Sequence, residues 1–174
     1  PARALRAFNE KCEEGLKKRY QDNADDPEVR QRVEYELEII HRMGFDAYFL
    51  IVWDIMDYAK RNGIPAQGRG SAANSIVAYV LGITKVDPIR HNLFVGRFLN
   101  EEMSSIPDID IDVSTNHREQ LIQYVYQKYG EEHVAMVCTY VTFQARNAIR
   151  EVGKVLGMPA AILDQMAKAL GSYS

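Results

Sequence analysis

Cysteine is scarce: the 174 residues contain two, Cys12 and Cys138. A disulfide framework needs more, and neither has a partner at metal-ligand spacing, so both read as reduced thiols filling a core. The four histidines, His41, His91, His117 and His133, show no ligand spacing and receive no role. Long hydrophobic runs are also missing. The longest apolar patch, residues 47–52, is far short of the roughly 20 residues a membrane helix needs, and residues 1–8 hold no apolar stretch of a signal peptide. The chain therefore reads as soluble and cytoplasmic. It lacks a basic excess as well, since the formal net charge is -3, which excludes a strongly basic nucleic-acid sheath. Local arginines such as Arg69 and Arg97 can still face phosphate. No internal repeat or low-complexity tract is present. The chain begins without methionine and stops soon after a partial helical pattern, which suggests an excised piece of a longer protein.

What is present suffices for a packed core. Apolar residues make up 47% of a chain long enough for one domain, or one domain plus part of another. The spacing of Val29, Val33, Leu37 and Ile40 predicts a helix over residues 28–43, with Asp26 as cap, Pro27 at the first position and Gly44 after the end. A second, mostly apolar helix is expected over 46–62, closed by Gly63, its aromatics serving as core fillers. A short strand over 64–67 should lead into a glycine loop, from which Ser71 caps a small-residue helix over 72–81 that stops at Gly82. Residues 92–99 fit a strand or a helical turn equally. Beyond them the pattern predicts a helix over 117–129, a buried strand over 133–140, and helices over 143–156 and 160–170. Residues 21–27 read as a loop. The fold class expected is α/β (α+β).

Two motifs carry chemistry. In Pro107-Asp108-Ile109-Asp110-Ile111-Asp112 the carboxylates alternate with apolar residues at the period of a strand, so they gather on one face while Ile109, Ile111 and Val113 enter a core. Same-face neighbours lie about 6.5 Å apart, close enough to share a pair of cations. Like charges so crowded repel unless something positive lies between them, and a divalent cation is the simplest candidate. About forty residues upstream, by count along the chain, stands Gln67-Gly68-Arg69-Gly70-Ser71-Ala72-Ala73-Asn74-Ser75. Its glycines would admit a phosphate to the main chain, a helix opening at Ser71 would turn free amides toward it, and Arg69 would add charge.

Each motif has a rival reading. Gly68, Gly70 and Ala73 satisfy a loose dinucleotide pattern, with Asp87 near the distance expected of a ribose ligand, which would suit an oxidoreductase domain. That leaves the aspartates unexplained. Asp108, Asp110, Asp112 and Glu119 fall at positions 1, 3, 5 and 12 of a calcium loop, in a noncatalytic module, but Val113 stands where that loop needs glycine.

A family resemblance rests on several ordered runs: Gly44-Phe45, Tyr48-Phe49-Leu50-Ile51-Val52-Trp53-Asp54, Gly68-Arg69-Gly70-Ser71-Ala72-Ala73, Gly82-Ile83-Thr84, Val86-Asp87-Pro88, Arg97-Phe98-Leu99-Asn100, the aspartate run, and Ala148-Ile149-Arg150-Glu151-Val152-Gly153-Lys154-Val155-Leu156-Gly157. Over nearly its whole length the chain resembles the bacterial C-family DNA polymerases, the alpha subunit of DNA polymerase III and its relatives. The resemblance implies a nucleotidyltransferase-type palm of the polymerase beta kind, a mixed sheet with flanking helices, over residues 1–139, and the start of a helical thumb over 140–174. It implies that Gly70 and Ser71 hold the incoming triphosphate, that Arg97 contacts it with Arg69 as a phosphate neighbour, and that Asp108 and Asp110 bind two Mg2+ ions, for which Mn2+ can substitute. Asp112 is a further metal candidate. Primer-template DNA, a dNTP, a sliding clamp and other replication or repair subunits would be the partners of the full-length enzyme. The family's third carboxylate and a triphosphate-binding lysine fall beyond Ser174, so the chain alone is expected not to polymerise. Gln67 and Asn74, where replicative members usually carry proline and glycine, look more like the error-prone, translesion branch. The run 101–105 lacks an arginine common in the family, and Val113 replaces the usual aromatic.

Overall fold

Helix α1 (Ala2–Tyr20) presents Phe8, Cys12 and Leu16 at four-residue steps, and all three are buried. A computed structural model describes residues 2–100, 102–103, 105–137, 139–140 and 142–170, with side chains from residue 4 onward. Cys138, and positions 101 and 104 of the family run, lie outside the described residues. Burial pushes the Cys12 thiol far above its ordinary range, so it is an inert core residue.

Helix α2 (Pro27–Met43) starts and stops where its signals stand. The Asp26 side chain accepts from the Glu28 amide at 2.9 Å, Pro27 opens the helix, and Gly44 closes it at φ 71°. Helix α3 (Asp46–Arg61) buries Phe49, Val52, Met56 and Ala59 along one stripe. Strand β1 (Ala66–Arg69), a 3-10 turn (Gly70–Asn74) and the short helix α4 (Ile76–Val80) follow. A second 3-10 turn, Val95–Arg97, resolves the ambiguity of residues 92–99 in favour of a helical turn. Strand β2 (Asp110–Val113) and helix α5 (Arg118–Tyr129) come next. The main core gathers Phe8 and Leu16 from α1, Ile39 and Ile40 from α2, Phe49 from α3 and Ile76 and Val77 from α4. Among the described residues no helix is long and apolar enough to cross a membrane.

The expected α/β palm with its mixed sheet is corrected by this arrangement. The described residues are mostly helical, and their sheet has two strands, β1 and β2, paired antiparallel. The buried strand expected over 133–140 is not there: its described residues form a turn and irregular backbone, with Met136, Val137 and Tyr140 exposed. An apolar run of that length has the composition of a strand, but among the described residues no strand pairs with it. Core formation falls instead to helices, α1 included, whose stripe the periodicity reading passed over.

Asp54 joins α3 to α5. Its carboxylate accepts from Tyr124 Oη at 2.7 Å, Tyr129 Oη at 2.8 Å and Lys128 Nζ at 2.5 Å, while Tyr58 stacks on Tyr124 with centroids 3.7 Å apart. Burial works to raise the Asp54 pKa, but the bonds from Lys128, Tyr124 and Tyr129 outweigh it and hold the carboxyl below the ordinary 3.8. A depressed folded pKa means that the unfolded chain takes up the proton first, so the stability Asp54 contributes is present above pH 3.8 and is lost as pH falls through the lowered value. Asp54→Ala should cost about 1–3 kcal/mol in urea unfolding at neutral pH, with a smaller difference from the wild type in strong acid. Equal acid sensitivity of both proteins would dismiss this role.

The chain divides into two compact units, residues 1–134 and 135–174. The second is a helical hairpin of α6 (Ala145–Val155) and α7 (Ala160–Ala169), turning at Gly157 with φ 72°. Arg150 donates to Asp164 at 2.9 Å, and Gly153 lets Leu163 approach the α6 backbone closely.

Candidate active site

The register of the two strands brings the motifs together. Arg69 stands opposite Asp110, Gln67 opposite Asp112, Gly68 opposite Ile111 and Ala66 opposite Val113. Directly opposed residues share a face, so the half-buried Gln67 and the exposed Arg69, Asp110 and Asp112 form one surface. Ile109 and Ile111 pack against the main core, and Val113 against a smaller cluster of Ala59, Ile64 and Leu121. Asp108 lies two residues ahead of β2 and is exposed. Burial raises the hydroxyl pKa of Tyr48, the Ile109 backbone works against that rise, and the charges of Asp108 and Asp110 add to it.

Arg69 lies between the carboxylates, its Nε 2.9 Å from Asp112 Oδ1 and its Nη1 3.6 Å from Asp110 Oδ2. Part of the positive charge that the crowded aspartates require is therefore supplied by the protein. These pairs are half exposed and worth little in stability, so the guanidinium is free to exchange them for an incoming anion. Among the described residues no cluster of three or more Asp, Glu, His or Cys side chains is arranged to hold a metal. Two carboxylates still fit Mg2+, which is usually held by one or two carboxylates together with substrate phosphates and water.

The two glycines of the loop act differently. Gly70 has φ 70°, a left-handed conformation, and a Cβ there would lie 3.5 Å from Asp110 Oδ2. That places the turn directly against the carboxylate. Gly68 needs no such conformation; its amide donates to Ile83 O at 2.7 Å, and a Cβ would meet that oxygen at 2.8 Å. Close approach explains it.

The helix expected to open at Ser71 opens at Ser75. Ser75 Oγ accepts from the Ala78 amide at 3.0 Å, and the amides of Ile76 and Val77 donate to the buried Glu36 carboxylate at 3.1 and 3.2 Å. The helix-start amides are thus turned inward, to a side chain of α2, and do not face a phosphate. What remains for an anion is the exposed 3-10 turn of Gly70 and Ser71 with Arg69 beside it.

Glu36 and Arg32 are the residues sequence reasoning missed. Glu36 is fully buried and also accepts from Ser75 Oγ at 2.6 Å and Arg32 Nε at 3.0 Å. Burial pushes its pKa up, against the bonds from Ser75, Val77, Ile76 and Arg32. Arg32 Nη2 donates to Asn74 O at 3.2 Å and Leu93 O at 2.8 Å, tying the glycine turn to the segment that leads to Arg97. The Val95–Arg97 turn packs against the Gly70–Asn74 turn, and the Arg97 side chain is exposed. The signal was available: Glu36 interrupts the apolar stripe of Val29, Val33 and Ile40 on the buried face of α2.

The rival readings lose their geometry. Asp87 accepts from Tyr20 Oη at 2.8 Å and from the amides of Ile89 and Arg90, so its carboxylate caps a turn rather than facing a ribose. Asp110 to Val113 are strand, paired residue by residue with β1, and Glu119 lies in the first turn of α5, whereas a calcium loop must curl its ligands round one ion.

Two acidic side chains beside a glycine turn, with an arginine between them, place carboxylates, a guanidinium and a left-handed turn side by side on one surface. Comparison with known proteins gives the family: the model described as bacterial DNA polymerase III alpha NTPase domain matches residues 6–173, and the chain belongs to that family. Similar proteins include the DNA polymerase III subunit alpha of Bacillus subtilis, 51% identical over 92% of this chain and 14% of its own length. The error-prone DNA polymerase of Anaeromyxobacter sp. (strain K) is 45% identical over 95% of this chain and 15% of its length. The error-prone DNA polymerase of Symbiobacterium thermophilum is 51% identical over 82% and 13%. The chain thus spans about one seventh of the length of these relatives. Both kinds of relative match at like identity, so overall identity does not divide the branches.

Proposed function

We propose that the chain forms part of the nucleotidyl-transfer site of a DNA-directed DNA polymerase, the reading carried by the antiparallel register that sets Arg69 and Gly70 against Asp110. Asp108 and Asp110 would hold Mg2+ ions, or Mn2+ in their place, with Asp112 a further candidate. Bound there, the ions would lower the pKa of a primer 3'-hydroxyl and neutralise the departing pyrophosphate. The chain's own residues bind and orient. Gly70 and Ser71 receive the triphosphate of a dNTP on exposed backbone, Arg69 leaves Asp110 to meet its charge, and Arg97 approaches from the neighbouring turn. Asp112 positions Arg69 through its 2.9 Å bond. Glu36 and Arg32 hold both turns rigid, which matters because nucleotidyl transfer relies largely on positioning. Primer-template DNA, a sliding clamp and other replication or repair subunits are the partners proposed for the full-length enzyme. An error-prone, translesion role rests on Gln67, which faces Asp112, and on Asn74, whose side chain braces the turn through Ser71 O at 2.9 Å.

Titration of Mn2+ with a dNTP into the 174-residue chain tests the reading. Paramagnetic broadening of amide signals should begin at Asp108, Asp110 and Gly70. Broadening that starts elsewhere, or needs no aspartate, would remove the proposal.

A further inference from the structure

A cleft of about 690 Å³ lies away from the aspartate face, between α1, α3 and the turn after α4. Five of its lining residues are Lys or Arg and two are acidic. Its size lies within the roughly 300–1,000 Å³ of small-ligand sites. Two of the cations have partners: Lys11 pairs with Glu14 at 2.7 Å over the ring of Trp53, and Arg19 donates to Thr84 O at 3.2 Å. The second acidic residue, Asp57, is held by Arg61 at 2.7 Å. Lys18, Lys60 and Lys85 remain, and among the described residues none of them has a carboxylate within ion-pair distance.

Lys18 and Lys60 line the cleft together, and Lys60 lowers the Lys18 pKa more than the charge of Asp57 raises it. Two ammonium groups so placed repel unless an anion lies between them. We propose that this cleft is a second anion site, which takes an oligophosphate of nucleotide size on Lys18, Lys60 and Lys85. Ammonium groups act as point-charge donors suited to phosphate oxygens, and three that line one cleft can act on one polyanion as no single exposed pair would. Pro65 and Ala66 line the same cleft, and Ala66 begins the strand that ends at Arg69, so the cleft backs onto that strand without taking in Gln67 or Arg69.

Trp53 is the chain's one tryptophan and lines the cleft, which makes its fluorescence a local probe. The test titrates inorganic tripolyphosphate, in EDTA, into the 174-residue chain. A saturable Trp53 change is expected, with a dissociation constant at or below about 1 mM, weakened at least about tenfold in Lys18→Glu/Lys60→Glu and unchanged in Arg69→Ala. Circular dichroism checks the double variant's fold; should it fail to fold, Lys60→Gln and Lys85→Gln, each expected to weaken binding roughly threefold, decide in its place. A short single-stranded oligonucleotide separates the sources: competition with tripolyphosphate assigns the site to nucleic-acid phosphate, and its absence to free oligophosphate. No Trp53 response at about 10 mM, roughly tenfold above the expected constant, or equal affinity in the lysine variants, overturns the proposal.

Discussion

Glu36→Ala is expected to lower unfolding free energy by about 3–5 kcal/mol, the usual consequence of removing one partner from a buried charged network. Four donors converge on this carboxylate: Ser75 Oγ, the amides of Ile76 and Val77, and Arg32 Nε. Alanine leaves three of them buried without an acceptor and strips Arg32 of the contact that aims it at Asn74 O and Leu93 O. Against a typical total of about 5–15 kcal/mol, such a loss leaves the fold marginal. Glu36→Gln keeps the shape and one oxygen but turns an NH2 group toward donors, so about 1–3 kcal/mol should go. Urea unfolding measures both. Hydrogen exchange supplies a second reading, because Ile76 and Val77 should lose protection before residues of α3 do. If Glu36→Ala unfolds within about 0.5 kcal/mol of the wild type, the network is not what holds the glycine turn in place.

The parts that were legible in the sequence are those written locally. Asp26, Pro27 and Gly44 fix both ends of α2 because a cap, a preset φ and a left-handed stop each act within a turn of the residue that supplies them. The aspartate strand was legible from its alternation, and the glycine turn from the conformation only Gly70 adopts cheaply. Pairing was not. Which strand faces Asp110 to Val113 depends on a register between two four-residue segments some forty residues apart, and nothing in either segment encodes the other. The mixed sheet was implied by the family resemblance, whereas the strand at 133–140 was read from composition, which misleads when, among the described residues, no strand pairs with the run. Choosing Ser71 over Ser75 as cap failed for a related reason. The two serines look alike locally, and a carboxylate 39 residues away, Glu36, decides that the helix starts from Ser75.

Asp110→Asn and Asp108→Asn, placed in the complete polymerase, should each reduce nucleotide addition by about 10²–10³-fold or more while leaving primer-template binding nearly unchanged. Both side chains are exposed, so neither substitution disturbs the core, and unfolding free energy should stay within about 0.5 kcal/mol. Charge separates metal holding from anion repulsion. Asp110 lies 3.6 Å from Arg69 Nη1, so removing its charge frees the guanidinium. Metal-free dNTP binding should therefore hold or tighten in Asp110→Asn even as turnover collapses. Asp112→Asn makes the opposite contrast. Its bond to Arg69 Nε orients that side chain, so its loss should act on KM for the dNTP, about tenfold, more than on kcat. A variant of Asp108 or Asp110 that turns over normally would break the assignment. So would one that loses dNTP binding and turnover together, because the carboxylates would then be organising the turn instead of holding cations for the reaction.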